Sequence, residues 1–139
     1  MSGRLLLDTN IVIAVLNGDE TIPPKLDAAE IVGISVTVIG ELLYGAKKSH
    51  HVQDNINKIK RFVHRCSVFS VNEDTAEFYS TIKAELTKKG NPIPENDIWI
   101  AATASRHGLT IVTADSDFRR MQQAVDLDVE SWWTPSAAD

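Results

Sequence analysis

The chain has 139 residues, of which 43% are hydrophobic, and it carries a formal net charge of −5 at pH 7. A chain of this length supports one hydrophobic core, so we expect a single domain over residues 1–133 and a flexible tail over 134–139. No apolar stretch approaches the roughly 18 residues needed to cross a bilayer, and the N-terminus does not resemble a signal peptide, so no membrane role is expected.

Charge and cysteine content set further limits. Acidic residues outnumber basic ones by 19 to 14, whereas a generic nucleic-acid-binding protein usually has a basic face. The distribution of charge matters more than the sum, because acids gathered at a metal site are offset locally by the bound cation. The single cysteine, Cys66, has no disulfide partner and no metal-ligand spacing to other residues, which fits a cytoplasmic protein.

The first half of the chain alternates between strand and helix patterns. In chain order, the apolar and β-branched runs predict a buried strand at 4–7, a helix at 11–16 stopped by Gly18, a strand at 31–36, a helix capped by Thr37 and ending near 48, and a charged helix at about 52–65. The polar turn Asp8-Thr9-Asn10 follows the first strand directly.

The second half continues the same alternation. It predicts a strand at 68–71, a helix at 74–89, a loop marked by Pro92 and Pro94, a helix beginning at Asn96 or a neighbour and closed by Gly108, a strand at 109–112, a short helix running from the segment 113–118, and an edge strand at 125–129. Strands that alternate with helices imply an α/β fold, with a central parallel sheet of four to five strands and helices on both faces.

Two aspartates stand at the ends of predicted buried strands. Asp8 terminates the first strand, and Asp115 follows the strand at 109–112 by three residues. The crevice at the carboxyl ends of the strands is where ligands bind in open α/β sheets. We therefore expect both carboxylates at one edge of the sheet, although most acidic residues taken singly are solvated surface groups.

Two further acids lie at the beginnings of helices near that edge. Glu41 is close to the start of the helix that leaves the second strand, and Asp97 begins the helix closed by Gly108. Either could simply complement the positive end of its helix, an effect of about 0.3–1 kcal/mol. Asp97, however, borders the face that packs on the sheet, and a buried unpaired carboxylate is costly without a cation.

Four converging carboxylates point to a divalent metal. They would repel one another and raise each other's pKa unless a cation joined them. Oxygen-only ligation favours Mg²⁺, with Mn²⁺ as a substitute, over zinc. Sites of this kind hydrolyse phosphodiester bonds with a water activated by the metal.

The four acids lie in four short motifs that follow one another along the chain. They are Leu5-Leu6-Leu7-Asp8-Thr9-Asn10, Glu41-Leu42-Leu43-Tyr44-Gly45-Ala46, Pro94-Glu95-Asn96-Asp97-Ile98-Trp99-Ile100-Ala101-Ala102 and Val112-Thr113-Ala114-Asp115-Ser116-Asp117-Phe118. In this order they resemble the motifs of PIN-domain proteins, and within these the VapC toxins of bacterial VapBC toxin–antitoxin systems. One such motif is weak evidence, whereas four at domain-sized spacing are strong. The likeness extends from Leu5 to about Trp132.

The resemblance implies a PIN-like three-layer fold and an endoribonuclease that cuts transfer or ribosomal RNA. It further implies a homodimer that a VapB-type antitoxin inhibits. Asp8, Glu41, Asp97 and Asp115 would carry catalysis and bind the metal, and Thr9, Asn10 and Thr113 would orient those carboxylates. Asp117 ranks below the four acids because it could instead cap the last helix. Asp115 replaces an Asn found in a number of relatives.

Two alternatives concern the chemistry. A phosphatase of the haloacid dehalogenase type also begins with a strand ending in Asp, but it needs a second Asp where this chain has Asn10. A PIN domain that binds RNA or protein without cutting is the other alternative. Retention of all four acids speaks against it, but a misalignment of about 1 Å can abolish turnover.

The contact surfaces are less sharply defined by sequence. Lys47, Lys48, Arg119 and Arg120 are the candidate RNA contacts, with solvated helix ends as the plainer interpretation. A stripe of apolar residues in the helix at 52–65 could form a groove for an antitoxin helix, although such a stripe more often belongs to the core; its members are Ile56, Ile59, Phe62 and Val63. Trp132 and Trp133 are undecided between packing and an interface.

Overall fold

The computed structural model describes residues 3–132. In chain order its elements are β1 (Arg4–Leu7), α1 (Thr9–Leu16), α2 (Pro23–Asp27), β2 (Ile31–Ser35), α3 (Val36–Lys47), α4 (Val52–His64), β3 (Ser67–Phe69), α5 (Glu73–Lys88), α6 (Glu95–His107), β4 (Thr110–Thr113), α7 (Asp117–Gln122) and β5 (Val129–Ser131). Trp133 and the tail predicted at 134–139 lie outside these residues. None of the helices in 3–132 is long and apolar enough to span a membrane.

The five strands form one parallel sheet in the order β3-β2-β1-β4-β5. The central strand β1 pairs with β2 and β4, so that Leu5 lies beside both Val32 and Thr110. Consecutive side chains of a strand point to opposite faces, yet Leu6 and Leu7 are both fully buried. Both faces of the sheet are therefore covered by helices, which confirms the predicted α/β three-layer fold.

One glycine permits close packing between β2 and its neighbours. A Cβ atom at Gly33 would lie 2.7 Å from the Phe69 ring and 2.9 Å from the Leu5 carbonyl oxygen. Such distances are well inside van der Waals contact, so a larger residue would force β2 away from β1 or displace Phe69. The spacing of the strands that carry the candidate site depends on this position.

The N-terminus of α3 differs from the sequence prediction. Thr37 is not the cap; β2 ends at Ser35, whose side-chain oxygen accepts the Val38 N–H at 3.2 Å. A serine two residues earlier performs the same function, because it already has extended backbone geometry while Thr37 lies within the helix. Glu41 consequently lies in the second turn of α3.

The position of the edge strand was also wrong, and one helix was missed. The edge strand occupies 129–131 and not 125–129, because Val125 still hydrogen-bonds back to the Met121 carbonyl in the turn that ends α7. Helix α7 begins at Asp117, within the segment from which the last helix was predicted to run. The five-residue helix α2 was missed since it begins with two prolines and has no apolar periodicity.

Candidate metal centre

Asp8 lies where β1 meets α1, and only 5% of its surface is exposed. Its Oδ1 accepts the Thr9 backbone N–H at 2.8 Å, and its Oδ2 accepts the Thr113 hydroxyl at 2.7 Å and the Asn10 amide at 3.3 Å. Burial raises the pKa of Asp8, and the charges of Glu41 and Asp115 act in the same direction against those hydrogen bonds. The protein therefore fixes this carboxylate firmly in a place where its charge is unfavourable.

Glu41 is held by two donors from different parts of the chain. The Thr9 hydroxyl donates to Oε1 at 2.5 Å, and the Asn96 side-chain amide donates to Oε2 at 3.0 Å. Sequence reasoning did not assign Asn96 to the site, because an asparagine at the start of a helix is expected to be a cap. Its position beside Asp97, in the same motif, was the signal that could have assigned Asn96 to the site.

Three other carboxylates meet opposite these two. One carboxylate oxygen from each of Asp97, Asp115 and Asp117 lies within 4.8 Å of the others, a separation at which one metal ion can bridge them. Asp97 comes from the first turn of α6, Asp115 from the loop after β4 and Asp117 from the start of α7. We call these three residues the aspartate cluster. It includes Asp117, which the sequence ranked below the other acids.

The capping explanation for Asp117 does not hold. The cap position of α7 is Ser116, and Asp117 is the first residue of the helix. Its carboxylate forms an ion pair with Arg120, while its backbone N–H donates to Asp115 Oδ1 at 2.9 Å. The turn between β4 and α7 thus places Asp117 against Asp115 and beside a single cation.

Burial and neighbouring carboxylates disfavour the negative charge of Asp97. The pKa of Asp97 is raised to about 8, first by burial, then by the charge of Asp8, and then by a hydrogen bond and the charge of Asp117, with Asp115 adding to the effect. A carboxyl group with this pKa retains a proton near neutral pH. A divalent cation would replace that proton and remove the repulsion.

The loop after β4 joins the two halves of the site. The Thr113 hydroxyl donates to Asp8 and accepts the Asp115 backbone N–H at 2.9 Å. The Ala114 N–H donates to the Asn10 side-chain oxygen at 3.1 Å. Each residue predicted to orient the carboxylates therefore makes a hydrogen bond to one of them: Thr9 to Glu41 and Asp8, and Asn10 and Thr113 to Asp8.

The first turn of α6 is also anchored from outside the site. The Tyr79 hydroxyl and the Lys83 ammonium of α5 both contact the Glu95 carboxylate, and the Tyr79 ring stacks on Trp99 with centroids 4.0 Å apart. Glu95 directly precedes Asn96 and Asp97. This contact between α5 and α6 helps to fix where those two side chains point.

The candidate RNA contacts occupy different environments. Lys47 and Lys48 are exposed at the end of α3, where the Lys48 ammonium lies 4.4 Å from the Tyr44 ring centroid. Arg119 is near the Ser131 hydroxyl, at 3.5 Å, whereas Arg120 is already paired with Asp117. Arg120 therefore belongs to the surroundings of the aspartate cluster.

An apolar cavity of about 270 Å³ opens beside Glu41, between α1, α3 and α4. Its wall includes Ile13, Leu42, Ile59 and, at one side, Lys58. Of the predicted apolar stripe on α4, Ile59 and Phe62 are buried and the other two residues pack against the core. The stripe is thus mainly structural, and Ile59 is the member that also lines the cavity.

Comparison with known proteins fits this fold and site. Residues 5–124 match the family model of the PIN domain, and the chain belongs to this family. It is 36% identical over 131 residues to Ribonuclease VapC2 of Haemophilus influenzae, covering 93% of this chain and 98% of the relative. It is 31% identical to the tRNA(fMet)-specific endonuclease VapC of Salmonella typhimurium, with the same coverage.

Solved structures give the same result. The DNA-bound VapBC of Salmonella typhimurium superposes with a TM-score of 0.86 at 30% identity, covering 96% of this chain and all of that one. VapBC2 of Rickettsia felis, bound to a DNA fragment from its promoter, gives 0.85 at 28% identity, covering 93% and 98%. These matches confirm the resemblance to VapC proteins inferred from the four motifs.

Proposed function

We propose that this protein is a Mg²⁺-dependent endoribonuclease and the toxin of a type II toxin–antitoxin system. The observation that carries the proposal is the convergence of Asp97, Asp115 and Asp117 within 4.8 Å, next to the buried Asp8. Relatives that match over nearly the full chain are named ribonucleases, which supports the same reaction class.

The side chains fit a hard divalent cation. All ligand atoms of the aspartate cluster are carboxylate oxygens, the donor type that Mg²⁺ and Mn²⁺ prefer. The raised pKa of Asp97 has the same implication, because burial and the neighbouring charges of Asp8, Asp117 and Asp115 all disfavour its negative charge. Asp8, Asp97, Asp115 and Asp117 would hold the ion, with Glu41 on the side facing the cavity.

Each residue then has a definite task in hydrolysis. A cation bound here would lower the pKa of a water molecule for in-line attack on a phosphodiester and neutralise charge on the departing oxygen. Asp8 is kept in position by Thr9, Asn10 and Thr113, so it needs little rearrangement when the ion binds. Thr9 and Asn96 each donate a hydrogen bond to Glu41, which supports a role for this carboxylate in orienting the attacking water.

Substrate and partners follow from the relatives. Two of them are named for cleavage of initiator transfer RNA, and we propose transfer RNA, or otherwise ribosomal RNA, as the substrate class. The structural neighbours are toxin–antitoxin complexes, which supports a VapB-type antitoxin as partner. We propose that an apolar antitoxin segment fills the cavity beside Glu41, and that the toxin acts as a homodimer in the cytoplasm.

The decisive experiment is cleavage of total RNA by purified protein that is free of antitoxin. Wild type is compared with Asp8→Asn in Mg²⁺, in Mn²⁺ and in EDTA, and exposed Asp126→Asn serves as the control for the same chemical change away from the site. We expect discrete fragments that require metal and that only Asp8→Asn loses. Intact RNA under all conditions, from folded protein that binds metal, would favour a non-cleaving RNA- or protein-binding module.

A further inference from the structure

Basic residues are concentrated in one short segment of an otherwise acidic chain. Residues 47–65 contain six of the 14 lysines and arginines but one of the 19 acids, Asp54, which leaves eight basic and 18 acidic residues for the rest. The six are Lys47, Lys48, Lys58, Lys60, Arg61 and Arg65, and all are exposed. The net charge of −5 therefore conceals a local excess of five positive charges.

None of the six forms an ion pair among residues 3–132, where the ion pairs involve basic groups of α5, α6 and α7 and Lys89 directly after α5. Lys48 and Arg65 contact aromatic rings instead, and Lys58, Lys60 and Arg61 have no such contact among these residues. Six exposed cations with a single acid in the same segment repel one another, which costs stability unless an anion binds. The segment is thus electrostatically suited to a polyanion.

Two of the cations connect this segment with the metal centre. Lys58 lines the cavity that Glu41 borders, and it also lines a second cavity of about 350 Å³, together with Arg61 and Asp54. Lys58 and Arg61 are three residues apart and so lie on the same flank of α4. A continuous recessed surface therefore leads from Glu41, past Lys58, to Arg61.

We propose that Lys58 and Arg61 bind consecutive backbone phosphates of a single-stranded segment of the substrate RNA and guide it to the metal centre. This inference rests on the proposed function. Lys58 and Arg61 bring two positive charges to the second cavity and Asp54 offsets one of them, which leaves a net positive charge there. An unpaired strand is favoured over a duplex, because the scissile phosphate must reach carboxylates as recessed as Asp8, which is 5% exposed.

The test measures RNA binding without cleavage. All proteins carry Asp97→Asn, so that RNA is bound in Mg²⁺ but not cut. The double variant Lys58→Gln/Arg61→Gln is compared with the control Lys60→Gln/Lys88→Gln. Binding is measured by the fluorescence anisotropy of a labelled single strand of about 12 nucleotides. The control removes the same charge from exposed positions, since Lys60 lies about 160° around α4 from Lys58 and Lys88 is at the end of α5. Thermal unfolding of both variants checks that the fold is intact.

We expect the Lys58/Arg61 variant to lose roughly tenfold in affinity. The slope of its log affinity against log salt should become shallower by about 1.4, or about 0.7 for each lost phosphate contact.

An equal loss of affinity in the control variant would overturn the proposal by showing a general charge effect. If a duplex probe binds as tightly as the single strand and loses as much affinity in the Lys58/Arg61 variant, the assignment to single-stranded RNA is overturned. If the parent enzyme fails to cleave RNA but this binding difference persists, the proposed function fails while the phosphate-binding surface stands.

Discussion

The two halves of the acidic site carry like charges but are stabilised differently. Asp8 and Glu41 receive hydrogen bonds from Thr9, and other donors complete the contacts of each carboxylate. The aspartate cluster instead sets acid against acid, with Arg120 as a cation on its outer side. The first half is preorganised by the protein, whereas the second half would be completed by the proposed cation.

This difference assigns separate contributions to the two halves. Residues that face only other carboxylates should control metal affinity, and residues already satisfied by hydrogen bonds should control how a substrate or water is oriented. This division can be tested by substituting one side chain of each half and measuring metal binding and RNA cleavage separately.

Removal of the central cluster acid should have the largest effect. Asp97→Asn takes away a proposed metal ligand, so we expect cleavage to fall by more than about 100-fold, since the loss of an outer supporting group alone costs roughly 10- to 100-fold. Mg²⁺ or Mn²⁺ binding measured by calorimetry should weaken in parallel. Asp126→Asn is the control, and unchanged metal affinity in Asp97→Asn would disprove the assignment of the cluster.

A change at the junction of the halves should come next. Thr113→Val keeps the shape of a fully buried side chain but removes the hydroxyl that bonds both Asp8 and the Asp115 N–H. We expect cleavage to fall roughly 10- to 100-fold and the free energy of unfolding to fall by about 1–3 kcal/mol. Denaturant unfolding and single-turnover cleavage measure these effects, and wild-type cleavage would show that the junction is dispensable.

Asn96→Ala tests the preorganised half alone. Glu41 would keep its Thr9 donor but lose the amide on Oε2, so we expect roughly a tenfold fall in cleavage with unchanged metal affinity. Gln123→Ala, which removes an exposed side-chain amide directly after α7, is the matched control. A loss of metal affinity equal to that of Asp97→Asn would contradict the division between the halves.

The smallest effect expected is on stability as a function of pH. The pKa of Asp97 in the folded protein, about 8, is above its ordinary value of 3.8, so the folded state holds this proton more tightly than the unfolded state. The associated stability is complete below about pH 4 and is lost as the pH rises through 8. In EDTA the melting temperature should fall by a few degrees across this range, and Asp97→Asn or added Mg²⁺ should reduce the fall. A melting temperature that rises between pH 5 and 8 in all samples would rule this out.

Much of the architecture could be predicted because buried parallel strands leave a clear pattern. The run at 4–7 and the β-branched segments at 31–35 and 110–113 gave the central strands and the edge at which they end. Helix α2 could not be found in this way, because a five-residue helix has too few turns to show periodicity. The predicted and observed positions of β5 differ because pairing with β4, and not the composition of β5, determines where this strand begins.

The site was predictable to the extent that topology determines it. Asp8 and Asp115 follow the adjacent strands β1 and β4, so the sheet brings them together. Glu41 lies in the helix that follows β2, the strand on the other side of β1. The participation of Asp117 depends on how the turn at 114–116 directs α7, and the bond from Asn96 depends on a side-chain rotamer. Neither can be derived from the spacing of residues along the chain.

The sheet order has a consequence for synthesis of the protein. Strand β1 is central, yet β4 pairs with it from more than 100 positions further along the chain, and Asp8 takes its hydroxyl donor from Thr113. While the last third of the chain is still within the ribosome, β1 has one open edge and Asp8 has neither that donor nor the carboxylates of α6 and α7. The acidic site is therefore assembled only when translation is nearly complete, so an unfinished chain lacks the aspartate cluster on which the proposed nuclease activity depends.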